Sequence, residues 1–219
     1  MKKILLTAFE PFGGQNTNAS QEVARMVRNE SFAHAQVETL ELPVEHFRAP
    51  QLMLSALARL RPDIVLLLGE ARSRAAVMPE RVAINVADFS IPDNAGNQPR
   101  EETILEGGPA AYFSTLPVVA IQRALQEAGI PAAISNTAGT YLCNQLFYCV
   151  LHHLSETKNP ALAGFIHIPM LPEQRPDSAQ EWPSLCRETA LKAVRITIET
   201  CLETQKLGEV SHLPVQETR

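Results

Sequence analysis

The chain has 219 residues, 45% of them hydrophobic and 20% charged, with a formal net charge of −5. That length suits one domain with a sizeable core, and the composition is ordinary for a soluble globular protein. The acidic balance and the lack of a basic run argue against nucleic-acid binding and give no reason to invoke an anionic membrane, and no stretch is long enough to span a bilayer.

Residues 3–9 are expected to form a buried strand, closed by the turn cluster Glu10-Pro11-Phe12-Gly13-Gly14. The short apolar run here falls short of a signal-peptide core and lacks a small-residue cleavage site. Asn18 or Ser20 can cap a helix over about residues 21–29. Strand, glycine loop and helix in that order suggest an α/β layered domain. The loop lacks G-x-G-x-x-G and a P-loop lysine, so no nucleotide site is expected. Phe9 and Phe12 could line a pocket or simply fill core.

Residues 36–42 alternate and predict a second strand, ended by Pro43. Residues 49–60 predict a helix with Leu54, Leu57 and Ala58 inward. Residues 64–68, Ile-Val-Leu-Leu-Leu, are apolar throughout, as an interior parallel strand should be. That strand ends at Gly69-Glu70-Ala71. Sites in open α/β sheets gather at the carboxyl ends of strands, which makes Glu70 a candidate by position. Residues 79–86 show strand-like alternation, and residues 91–107 a long loop or hairpin insertion of the functional or interfacial kind. A helix is expected over residues 118–128, stopped by Gly129 and Pro131, then a short strand over 132–135. Residues 163–169 form another apolar strand, with His167 inside it. Residues 180–202 complete the set as a packed helix. The domain is expected to cover residues 1–205, with residues 206–219 a loose tail.

The four cysteines, at 143, 149, 186 and 201, form no Cys-x-x-Cys pair and are too widely spaced for a disulfide framework. A reducing cytoplasm fits best. His152 and His153 are expected on the exposed side of their helix, without partners at metal-ligand spacing.

Cys143 follows the polar loop Asn136-Thr137-Ala138-Gly139-Thr140, at the expected first turn of a helix whose apolar face carries Leu146, Phe147, Val150, Leu151 and Leu154. The positive end of the helix dipole favours thiolate there; the bland alternative is an inert core cysteine. Glu80 beside Arg81 alone suggests a solvated pair, and His167 alone a hydrogen-bonded core histidine. Together the three supply nucleophile, base and orienter, the logic of cysteine hydrolases. Spacing alone does not pick them out.

Five motifs do: Phe9-Glu10-Pro11-Phe12-Gly13-Gly14, Pro79-Glu80-Arg81-Val82-Ala83-Ile84-Asn85, Ile91-Pro92-Asp93-Asn94-Ala95-Gly96-Asn97-Gln98-Pro99, Thr137-Ala138-Gly139-Thr140-Tyr141-Leu142-Cys143-Asn144 and Gly164-Phe165-Ile166-His167-Ile168-Pro169. In that order they resemble the pyrrolidone-carboxylate peptidases (pyroglutamyl peptidase I), from Lys3 to about Leu202. The resemblance implies a single-domain α/β/α sandwich with a twisted, mostly parallel central sheet. It implies a cysteine exopeptidase that removes N-terminal pyroglutamate from peptides without cofactor or metal. It makes Glu80, Cys143 and His167 the expected catalytic triad. It makes Phe9 and Phe12 the aromatics that hold the lactam ring, and a homodimer or homotetramer the expected assembly.

Two departures bear on substrate. Glu70-Ala71-Arg72-Ser73-Arg74 stands where the family usually has Gln-Ala-Gly-Gly-Arg, and Ser90 where many relatives have Arg. A carboxylate accepts hydrogen bonds but does not donate, and losing two glycines removes backbone freedom. The alternative is therefore a same-fold amidase or peptidase with a different amino-terminal substrate. A third reading is a non-catalytic binder on the same scaffold, against which the intact triad speaks.

Overall fold

The computed structural model describes residues 1–176 and 182–207. Its elements run β1 (Lys2–Phe9), α1 (Ala19–Val27), β2 (Ala35–Leu42), α2 (Arg48–Leu60), β3 (Ile64–Glu70), β4 (Met78–Pro79), β5 (Val82–Ile84), β6 (Ala111–Phe113), α3 (Val118–Glu127), α4 (Leu142–Glu156), β7 (Leu162–Ile168) and α5 (Arg187–Leu207). The main sheet has the order β2-β1-β3-β7-β4. Its first four strands are parallel, and β4 joins β7 antiparallel. A separate two-stranded sheet pairs β5 with β6.

Strand alternation explains the three layers. Ile4, Leu6 and Ala8 of β1 and Ile64, Leu66 and Leu68 of β3 share a core with α1, α3 and α5. Leu5 and Phe9, Val65 and Leu67, and Ala163 and Phe165 of β7 face the other way, into a core with α2 and α4. The result is the expected sandwich with a mostly parallel sheet.

Local signals account for the long elements. Asn18 is the N-cap of α1, its side chain accepting from the Ser20 N–H, so the helix starts two residues before the expected one. Arg61 ends α2 with a left-handed residue, and Gly129 follows α3 at φ +76. In α2 the buried residues are Ala49, Met53, Ala56 and Leu57. Ala58, expected inward, is exposed and Leu54 half-buried.

The expected strand over 79–86 is not continuous. Glu80 and Arg81 separate β4 from β5 because their backbones take different partners: the Glu80 N–H donates to Phe165 O, the Arg81 N–H to Ser135 O. Residues 132–135 make only isolated bridges, Ala132 with Val77 and Ser135 with Glu80. β6 lacked a sequence signal. The long loop is confirmed, and buried Asp93 organises it, accepting from the N–H groups of His46, Ala95 and Asn97.

The final helix begins at Arg187 rather than 180; residues 180 and 181 lie outside the described residues. The Leu185 N–H bonds Met170 O, and residues 182–186 are not helical. The helix continues through Lys206 and Leu207, past the boundary expected at 205, and the rest of the expected tail lies outside the described residues. No described helix is long and apolar enough to cross a membrane.

Candidate active site

The carboxyl ends of β1, β3 and β7 meet the start of α4. Gly69 of β3 lies in register with His167 of β7. Both point toward the α4 layer, as Phe165 does, because they share its strand parity. Cys143, half-buried in the first turn of α4, sits over Gly69: a Cβ on that glycine would come within 3.2 Å of Sγ. Glycine therefore makes room for the sulfur. Tyr141, the N-cap of α4, gives no side-chain capping hydrogen bond, which leaves the first-turn N–H groups to solvent or a bound group.

His167 is 7% exposed and Glu80 1%. Nδ1 of the imidazole meets Glu80 Oε1 at 2.7 Å, and the Cys143 sulfur is near enough to act on the ring's titration. Nδ1 donates to the carboxylate, so Nε2 is the nitrogen left for the sulfur. Burial pushes the imidazole down, but the neighbouring Cys143 sulfur and the Glu80 carboxylate outweigh this and raise it to about 9. The imidazole thus favours its charged form. Glu80 Oε2 is buried with no hydrogen-bond partner among the described residues. Such an oxygen is costly unless its charge is used. Here the neighbouring imidazolium uses it.

A pocket of about 250 Å³ opens beside the sulfur, lined by Phe9, Phe12, Asn18, Val44, Glu70, Tyr141, Leu142 and Cys143. The expected Phe9, Phe12 and Glu70 are thus brought together with Cys143. Leu42 O accepts from the Glu10 N–H. Glu10 Oε1 accepts from the Val44 N–H and from Asn94 Nδ2, at 3.0 and 2.8 Å. These bonds fix the Phe12 loop against the long loop.

Glu70 faces the α1 side of the sheet. Its Oε2 accepts from the Ala19 N–H and from Gln174 Nε2, both at 2.7 Å, and Oε1 accepts from Arg72 Nε at 3.0 Å. Ala19 is the first residue of α1, so the carboxylate also meets the positive end of that helix. Desolvating a carboxylate costs several kcal/mol, about as much as such partners return. Neither Arg72 nor Ser73 has a positive φ, so the turn tolerates the loss of glycine. Ser90 is exposed.

Three contributors had no assignment in the sequence. Tyr141 lines the pocket, and burial, then Asp93 and Cys143, push its phenol up to about 12. Asn144 clamps β5 to α4: Oδ1 accepts from the Ile84 N–H and Nδ2 donates to Ile84 O and Val86 O. Both residues flank Cys143, which was the available signal. Gln174 had none. Burial pushes the Cys149 and Cys201 thiols up to about 11 and about 12, which suits packing rather than chemistry. His152 and His153 are half-buried rather than exposed, and His152 Nδ1 meets Tyr112 Oη at 2.9 Å. Among the described residues, no three His, Cys, Asp or Glu side chains are grouped to hold a metal ion.

The sequence profile of the pyroglutamyl peptidase family matches residues 2–204. A pyrrolidone-carboxylate peptidase from Vibrio vulnificus is 48% identical over 206 residues, 94% of this chain and 95% of the relative. The solved pyrrolidone carboxyl peptidase from Thermococcus litoralis superposes with a TM-score of 0.93 at 38% identity, covering 98% of this chain and 100% of that one. Pyroglutamyl peptidase I from Bacillus amyloliquefaciens superposes at 0.89 with 39% identity, covering 93% of this chain and 98% of that one. The chain belongs to the pyroglutamyl peptidase family.

Proposed function

We propose that this chain is a cysteine exopeptidase that removes N-terminal pyroglutamate from peptides through a thioester, with Cys143 as nucleophile, His167 as acid and base, and Glu80 as orienter. The observation that carries the assignment is the buried Glu80–His167 hydrogen bond set beside the half-buried Cys143 sulfur, which opens on an apolar pocket.

The lactam ring enters between Phe9 and Phe12, and its N–H donates to Glu70. Cys143 Sγ attacks the pyroglutamyl carbonyl carbon, and first-turn N–H groups of α4 meet the developing oxyanion. The C–N bond breaks as His167 gives its proton to the leaving amine. Water then attacks the thioester carbon while His167 takes a proton from it. The C–S bond breaks, pyroglutamate leaves and the thiolate–imidazolium pair is restored. Glu80 holds the imidazole in the required tautomer throughout.

The altered-substrate alternative is not favoured: the family match runs through every pocket residue, and relatives along nearly the whole chain are named pyrrolidone-carboxylate peptidases. Turnover of a pyroglutamyl arylamide by the wild type and by Cys143→Ser tests the reading. Thiol-dependent release, lost in the variant, supports it; release surviving in Cys143→Ser refutes it. Assembly as a homodimer or homotetramer in the cytoplasm belongs to the same reading. The free cysteines support the compartment, exposed Phe113 and Val119 the assembly; fractionation and sedimentation velocity test them.

A further inference from the structure

We infer that Arg72 is a specificity-determining residue: its guanidinium balances the charge of Glu70 and steadies the Phe12 wall, keeping the pocket neutral for a lactam. This rests on the peptidase reading above. The Glu70 side chain is 1% exposed and Arg72 Nε lies 3.0 Å from its Oε1. The other donors to that carboxylate, the Ala19 N–H and the Gln174 amide, are neutral. Apart from Glu70 and Cys143, the pocket is lined by neutral side chains. Arg72 is therefore the one cation bonded to the pocket carboxylate among the described residues.

The same guanidinium lies over the Phe12 ring, 5.9 Å from its centroid. It ties the turn after β3 to the loop after β1, which carries one wall of the pocket. Such a contact adds attraction to the ring face beyond the ion pair.

The bookkeeping of lone pairs points to the ligand. Oε2 already takes two donors, while Oε1 takes one and keeps a second acceptor position. A neutral five-membered lactam offers one N–H to that position and no charge. Without Arg72, a carboxylate held only by neutral donors would line the pocket with Cys143. Such a site attracts a cationic amino terminus and penalises a neutral ring.

The test compares wild type, Arg72→Met and the double variant Arg72→Met/Glu70→Gln as full-length proteins. Methionine keeps an apolar cover on Phe12 and removes the charge. The first readout is KM and kcat for a pyroglutamyl arylamide. The second is inhibition by prolinamide, the same ring size with an ammonium in place of the lactam. Arg72→Met is expected to raise KM about tenfold with kcat within about twofold, the pattern of lost ground-state binding. Prolinamide is expected to inhibit it but not the wild type. Adding Glu70→Gln removes the unpaired charge and is expected to abolish the prolinamide inhibition. An unchanged KM in Arg72→Met overturns the inference. So does a double variant that prolinamide inhibits as strongly as the single one, since a merely structural prop would not respond to the charge of a carboxylate. Prolinamide failing to separate single variant from wild type also overturns it. A wild type that releases no arylamine overturns the peptidase reading, and the Arg72 assignment with it.

Discussion

Replacing Glu80 by Gln tests the charge at the heart of the site. The carboxylate is 1% exposed, and only Oε1 has a partner, at 2.7 Å. The Gln amide oxygen can take the same Nδ1–H, and its nitrogen would stand where Oε2 is already without a partner. Shape and tautomer are kept while the charge goes. A hydrogen bond to a charged group contributes ~1.5–3 kcal/mol, against ~1 kcal/mol for a neutral one. The difference, ~0.5–2 kcal/mol, lowers kcat/KM about two- to thirtyfold at ~1.4 kcal/mol per decade. The assay is kcat/KM for a pyroglutamyl arylamide against pH, with iodoacetamide alkylation of Cys143 in parallel. The imidazole is raised to about 9 partly by Glu80, so the variant's basic limb should move to lower pH. A limb in the wild-type position, with kcat/KM within about twofold, would refute Glu80's role in the charged pair.

Gly69→Ala places a Cβ 2.6 Å from Phe165 Cζ and 3.2 Å from Cys143 Sγ. Because Phe165 is fully buried, the strain falls on packed atoms, and a loss of ~1–3 kcal/mol in urea unfolding is expected together with altered alkylation of Cys143; wild-type values for both would show that the glycine makes no needed room. The raised imidazole also couples stability to pH. Its folded value of about 9 lies above its ordinary 6.5, so its contribution is complete below that ordinary value and is lost as pH rises through about 9. The urea midpoint should drop more across this window in the wild type than in Cys143→Ser, which lacks the thiolate that raises the ring; equal slopes would contradict the pairing.

Elements with a continuous pattern were legible in the chain. Ile64–Glu70 and Leu162–Ile168 are buried at every position, and their apolar runs announce this. The short strands β4, β5 and β6 were not legible, because two or three residues carry no period and their pairing is decided by distant partners such as the Asn144 amide. The α4 face was underestimated for a related reason. Asn144 and Gln145 are buried polar residues, satisfied by Ile84, Val86 and His46, and hydrophobic periodicity does not register them. Cys143, Glu80 and His167 come from three separate segments, so motif wording rather than spacing identified them. Gln174 reaches Glu70 across 104 positions, and nothing near it in sequence points there.

The site depends on a sheet rule that acts over two adjacent residues. Gly69 and Glu70 are consecutive on β3, so they face opposite layers. Gly69 faces α4 and clears space for the sulfur; Glu70 faces α1, takes the first N–H of that helix and reaches the pocket from the opposite side. The parallel register that sets Gly69 against His167 sets Glu70 against Ile168. One hydrogen-bonded ladder therefore fixes the imidazole and the pocket carboxylate relative to one another and clears the space over which the α4 sulfur sits. A slip of one residue between β3 and β7 would turn His167 toward the α1 layer and leave Cys143 without a base. Catalytic geometry is thus inherited from strand pairing, and the loops add the aromatic walls.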